Sequence, residues 1–194
     1  MRQTLRFALL SALLLSHIPM AAAFDSTLRA GTGLYWLEYR DPTQIVAGKR
    51  IGWYVGYLGR PVPYLGFEVR LGGCGKVATP SISLQAGLLS MLLRPTYSFG
   101  AMGEESELYM LLGATNLGVT RTAVGSSSTI SRLGASYGLG IDLRLGENVF
   151  LGAEWISYQQ RVGFGERRGD KSWPGVAKAD LSLSGATLNF AYRF

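Results

Sequence analysis

The chain holds one cysteine and one histidine, and past its first two dozen residues it has no long apolar run. Each scarcity removes a class of protein. A lone Cys74 cannot close an internal disulfide, and with no histidine beside it in the mature chain it makes no structural metal site. The single histidine, His17, falls in an N-terminal segment with the marks of a removable leader. The mature chain then has no imidazole to activate a serine or a water. Ser126, Ser127 and Ser128 are left without that partner, and nothing in the spacing of Lys171 or Lys178 recommends a serine–lysine dyad. No mature stretch is apolar for 18 residues, so a membrane reading requires strands. A phosphate-cradling glycine loop and a nucleic-acid-binding basic array are both missing. These absences describe a non-enzyme with no cofactor and no metal.

What is present begins with an export signal. Arg2 and Arg6 precede the apolar run Phe7 to Leu15, and Ala21-Ala22-Ala23 offers small residues for cleavage. Residues 1–23 are read as a signal peptide and 24–194 as one mature domain. No cysteine follows the apolar run, which argues against a lipoprotein anchor. Removing 23 of 194 residues leaves 171, and losing Arg2 and Arg6 takes 19 basic residues to 17 against 13 acidic ones, a net +4. That surplus suits anionic partners such as phosphorylated lipid headgroups, or equally a solvated surface. Glycine is abundant, at 26 residues.

From Arg132 to Leu145 the chain alternates. Leu133, Ala135, Tyr137, Leu139, Ile141, Leu143 and Leu145 are apolar, while Arg132, Gly134, Ser136, Gly138, Gly140, Asp142 and Arg144 are small or charged. A period of two places each set on one face of a strand. Apolar outward and small or polar inward is the pattern of a lipid-embedded barrel. A soluble periplasmic sandwich would explain the alternation but not the glycine-rich face.

Seven further strands are expected: 28–39, 50–58, 64–72, 87–99, 107–120, 149–161 and 181–194. Pro95 predicts a bulge or irregular pairing, and the apolar residues of 107–120 do not sort onto one face. Long connections near Asp41, Cys74, Ser127 and Arg167 alternate with short turns at residues 59–63, 100–106 and 146–148. That rhythm predicts termini in the periplasm and long loops outside the cell. Cys74, among Gly72, Gly73 and Gly75, is expected in a flexible loop.

The ending is a second signal. Leu188, Phe190, Tyr192 and Phe194 alternate with Asn189, Ala191 and Arg193. With Tyr137-Gly138-Leu139-Gly140 and Tyr64-Leu65-Gly66-Phe67-Glu68-Val69-Arg70, it resembles the small outer-membrane barrels of the OmpA transmembrane-domain and OmpX kind, the porin-like family. The resemblance implies a closed, antiparallel, up-and-down barrel of eight strands in the bacterial outer membrane. It also implies that Phe190, Tyr192 and Phe194 are read by the barrel-assembly machinery, with periplasmic chaperones acting during biogenesis.

Glu68, Arg70, Asp142, Arg144 and Glu154 share the expected inward face, with Arg29, Arg94 and Arg193 as further candidates. In an interior just wide enough for side chains, opposite charges should pair into a structural plug. A gated ion path is the sharper alternative. Trp36, Trp53, Trp155 and Tyr192 are expected in interfacial belts rather than as ligand-stacking rings. Trp173 sits in a charged segment with Glu166, Arg167, Arg168, Asp170 and Lys171, either a lipopolysaccharide contact or a solvated loop. The function expected is envelope structure or surface interaction by a monomeric barrel among outer-membrane lipids and lipopolysaccharide. The alternative is a narrow pore or small-solute channel.

Overall fold

An alternating strand in lipid needs a neighbour on each side, because no water is there to satisfy an open backbone edge. The computed structural model meets this by closure. It describes residues 25–40, 45–79, 82–100, 105–123, 126–160 and 180–194. Eight strands follow in chain order: β1 (Asp25–Arg40), β2 (Ile45–Val62), β3 (Leu65–Ala78), β4 (Ile82–Phe99), β5 (Ser106–Ala123), β6 (Ser126–Arg144), β7 (Val149–Gln160) and β8 (Asp180–Arg193). Each pairs antiparallel with its neighbours, and β8 returns to β1 to close the barrel.

The register sets the barrel's shape. From Thr27 it passes to Leu58, Glu68, Leu92, Gly113, Ser136, Tyr158 and Leu183, and arrives back on β1 at Leu37, ten residues further along. Such a shift tilts the strands steeply, by roughly 40° to the axis. Outward positions are apolar and exposed, as with Ile51, Val55, Met91, Leu108, Met110, Leu139 and Leu188. Where lipid surrounds the barrel, these residues are its solvated surface and the lumen is its core.

Several strands run past the ends expected from sequence. The residues assigned to loops include Val46, Val77 and Leu84, whose side chains are buried inside and prolong the ladders. Ser126 to Thr129 likewise pair with β5. Residues 41–44, 79–81 and 124–125 are thus all that link β1 to β2, β3 to β4 and β5 to β6, and only 161–179 is a long connection. The expected alternation of long and short connections does not hold. Cys74 is also corrected: it is buried on β3, paired with Ala86, because its flanking glycines serve close strand contact rather than a loop. A Cβ on Gly72 would lie 2.5 Å from the Trp53 carbonyl oxygen. Register shifts occur at Gly59/Val62, around Pro61, and at Cys74/Val77. At Pro95 the β4–β5 pairing skips from Leu93↔Leu112 to Thr96↔Tyr109 with the register unchanged, an interruption and not a bulge. The expected signal peptide and the segment around Trp173 lie outside the described residues.

Candidate functional site: the barrel lumen

Inward parity brings five arginines and five carboxylates together at the end of the barrel that carries the termini. Arg70 is fully buried; its Nε donates to Glu68 Oε1 at 2.6 Å and its Nη2 to Glu154 Oε2 at 2.9 Å. Arg29 binds Asp142 through both terminal nitrogens and donates from Nη2 to Tyr109 Oη and Asn189 Oδ1, each at 2.9 Å. Arg94 Nη2 is 2.6 Å from Asp142 and 3.2 Å from Glu107, so it joins the deep cluster to the mouth. There Glu107 also accepts from Arg60 at 2.7 Å and from Arg193, and Asp25 lies 3.5 Å and 3.3 Å from those two guanidiniums. Tyr109 is enclosed by cations: the Arg94 and Arg29 guanidinium carbons stand 3.6 Å and 5.2 Å from its ring centroid.

These ten charges, Arg29, Arg60, Arg70, Arg94 and Arg193 against Asp25, Glu68, Glu107, Asp142 and Glu154, sum to zero. Charges taken out of water are tolerated when paired and hydrogen-bonded, and this set is both. The set carries no net charge.

The inward residues then change character along β1, β5 and β8. β1 runs Arg29, Gly31, Gly33, Tyr35, Leu37, Tyr39; β5 runs Glu107, Tyr109, Leu111, Gly113, Thr115, Leu117, Val119; β8, read backwards, runs Asn189, Thr187, Gly185, Leu183, Leu181. Charge gives way to hydroxyls and glycine, and these give way to an apolar tier. In the middle tier Thr115 Oγ1 lies 2.7 Å from Ser90 Oγ and 2.6 Å from Ser136 Oγ, linking β4, β5 and β6. The apolar tier packs Leu37, Val46, Val77, Leu84, Leu88, Leu117, Val119, Leu181 and Leu183 into one buried cluster.

The glycines of the inner face are recesses for tyrosine rings. A Cβ on Gly31 would lie 2.3 Å from Tyr54 Cε1, and one on Gly140 would lie 2.5 Å from Tyr109 Cζ. Tyr35 spreads over both neighbours, with Gly52 2.4 Å and Gly185 2.6 Å from its ring by the same measure. Such aromatic cover restores contacts that a bare glycine strand lacks. Gly152 makes room in the same way for the Asp142 carboxylate.

Of the expected luminal charges, Glu68, Arg70, Asp142 and Glu154 meet in this network, as do Arg29, Arg94 and Arg193. Arg144 does not. It sits where β6 leaves the barrel and donates to the Gly146 and Glu147 carbonyls at 2.8 Å and 2.7 Å, tying the β6–β7 turn instead. Glu107, Arg60 and Asp25 are members that the sequence left unassigned. Glu107 opens the strand whose faces would not sort, Arg60 precedes Pro61 in a stretch that reads as a turn, and Asp25 precedes the first expected strand.

On the outer face, Trp36 and Trp155 are each the last apolar residue before a polar one, Glu38 and Ser157, whereas Trp53 lies inside the apolar run between Ile51 and Val55. Tyr64, Phe67, Tyr97, Phe99, Tyr192 and Phe194 are exposed near the terminal end, and the Tyr192 and Phe194 rings stack 6.5 Å apart.

No curated protein sequence matches the chain. Among solved structures it is similar to Neisserial surface protein A, at 13% identity over 87% of this chain and 97% of that one, with a TM-score of 0.64. Outer membrane protein OprG of Pseudomonas aeruginosa is similar at 13% identity over 89% and 96%, TM-score 0.58. Ail, the attachment invasion locus protein of Yersinia pestis, is similar at 17% identity over 88% and 99%, TM-score 0.55. At these identities the likeness is one of fold. Residues 7–194 match the family described as outer membrane protein beta-barrel domain, and with a closed eight-stranded barrel apolar on its outside, the chain belongs to that family of the bacterial outer membrane.

Proposed function

We propose that this chain is a non-enzymatic, non-conducting outer-membrane barrel that serves envelope structure or surface interaction through its extracellular segments. One observation carries the reading: a charge-neutral ion-pair lattice at one level of the lumen is followed by a packed apolar cluster at the next. Either tier opposes ion passage, the first by occupying the bore with paired side chains and the second by excluding water. The mature chain has no histidine, which supports the non-enzymatic part. β7 ends and β8 begins at the end opposite the termini, and the 161–179 stretch of sequence between them is longer than that between any other two successive strands. Because outer-membrane barrels carry their longer loops outside the cell, this favours periplasmic termini. The outward-facing Phe190, Tyr192 and Phe194 on the closing strand suit recognition by the assembly machinery. The name of Ail speaks of attachment and invasion, and a surface role of that general kind fits a sealed barrel better than transport does.

The test is the full mature chain refolded into a planar bilayer under voltage. A flat current trace is expected. Discrete, reproducible single-channel steps would overturn the sealed reading in favour of a narrow pore.

A further inference from the structure

β2 is paired on both sides for only part of its length. Its ladder with β1 runs unbroken from Asp25↔Arg60 to Arg40↔Ile45, whereas its ladder with β3 ends at Gly52↔Cys74. Both strands continue past that point, β2 to Ile45 and β3 to Ala78. Among the described residues, 45–51 therefore form a strand edge with no ladder partner on the β3 side. The cause lies in β3, which takes three steps from Cys74 to Val77 while β4 takes two between their partners Ala86 and Leu84. An extra residue of this kind bends the bulged strand and increases its twist, here parting β3 from β2.

Arg50 spans the gap. By register it belongs with the inward residues, since it pairs with buried Tyr35, yet it is exposed. Its Nε donates to the Lys76 carbonyl of β3 at 2.6 Å and its Nη1 to the Lys49 carbonyl of β2 at 2.8 Å. One guanidinium thus holds main-chain oxygens on both sides of the seam, where a backbone ladder would otherwise stand. A Cβ on Gly48 would lie 2.6 Å from Val77 Cγ1, so Val77 closes against the bare Gly48 backbone. Behind the seam lie Val46, Cys74, Val77 and Leu84, all members of the buried apolar cluster.

We propose that Arg50 is a latch on a hinged section of the wall. When it releases the Lys76 carbonyl, residues 45–51 part from β3 while staying bonded to β1, and Cys74 and the apolar tier become reachable from outside. Separating two fully paired strands breaks a run of backbone bonds, each of which leaves groups to be satisfied again. Opening this seam breaks one charge-assisted bond and the Gly48–Val77 contact. Local openings follow the weakest set of contacts, and a long edge without a ladder is such a set. The motion lies in the wall and is independent of whether the bore conducts.

Cys74, the last residue of the intact β2–β3 ladder, reports the opening. The full mature chain, refolded in phosphocholine micelles, is held in excess water-soluble maleimide, and the modified fraction is followed by mass spectrometry. Arg50→Met keeps the aliphatic stem and removes the donors. Losing a hydrogen bond made by a charged group should speed the slow parental labelling about tenfold. Arg40→Met, which removes only the Glu38 pair at the same rim, should leave that rate unchanged. An unaltered rate in Arg50→Met, or an equal rise in Arg40→Met, overturns the latch. If Arg50→Met loses its heat-modifiable band, amide hydrogen exchange of the parent decides. Residues 45–51 should exchange roughly tenfold faster than residues 181–186 of β8, which reach the same end of the barrel and are paired on both sides. Equal protection of the two segments overturns the hinge as well.

Discussion

Arg70 shows how much a single side chain carries in this lumen. It is the close partner of both Glu68 and Glu154, whose next cation, Arg29, stands 3.5 Å and 3.9 Å away. Arg70→Met would leave two buried carboxylates under-compensated, a change that costs about 3–5 kcal/mol when one partner of a buried pair is removed. A fall of that size in the urea unfolding free energy of the refolded protein is expected. A loss under 1 kcal/mol, roughly what an exposed pair is worth, would mean that water reaches the site. Glycines allow an equally sharp contrast. Gly140→Val would drive a side chain into Tyr109 and to within 2.8 Å of the Glu154 Cβ, whereas nothing lies within 4 Å of a Cβ added to Gly146. The first should abolish the heat-modifiable band on a gel and Gly146→Ala should retain it. Intact folding of Gly140→Val would show that the Tyr109 recess is not required. Residue parity was legible in the sequence, and so were most of the luminal charges. Partner identity was not, because Arg29 and Asp142 are separated by 113 residues and meet only through closure.

At the scale of the strand, legibility depended on whether the two faces differ. On β6 near the terminal end the inner face is small or charged, so alternation was plain. On β5 the inner face carries Leu111, Leu117 and Val119 and the outer face carries Leu108, Met110 and Leu112, so both parities look alike. The same apolar tier hid the far ends of β2, β3 and β4, where inward Val46, Val77, Leu84 and Ala86 carry no polar alternation. β3 gives the corresponding experiment. Cys74 is buried in the wall, so a maleimide should leave the folded barrel unlabelled and modify the thiol once urea unfolds it. Rapid labelling of the native protein would restore the loop reading. On the outer face Leu139 is 56% exposed between Met110 and Trp155 on its neighbouring strands. Leu139→Arg places a cation against lipid and should cost up to about 2–4 kcal/mol, seen as loss of membrane assembly. Unchanged assembly would be incompatible with lipid touching that face.

For the whole molecule, closure turns a pattern repeated eight times into stacked tiers, because a ten-residue register shift carries the inward positions of every strand round one tilted bore. Charges that each strand offers singly become a neutral lattice, and the leucines and valines above them become a dry plug. Two barriers in series behave differently from one. Replacing Arg70 and Glu154 together by glutamine removes a facing cation and anion and leaves Glu68 near Arg29 and Arg94, so the lattice loosens without gaining net charge. That double variant should still give a flat trace in a planar bilayer, because the apolar tier continues to exclude water. Leu117→Ser with Leu183→Ser should also stay silent, since the ion pairs still fill the bore. Combining all four substitutions, in protein that keeps its heat-modifiable band, should bring discrete conductance steps. Steps from the Arg70/Glu154 variant alone, as large as those of the combination, would show that the leucine tier is permeable and that the lattice is the only seal.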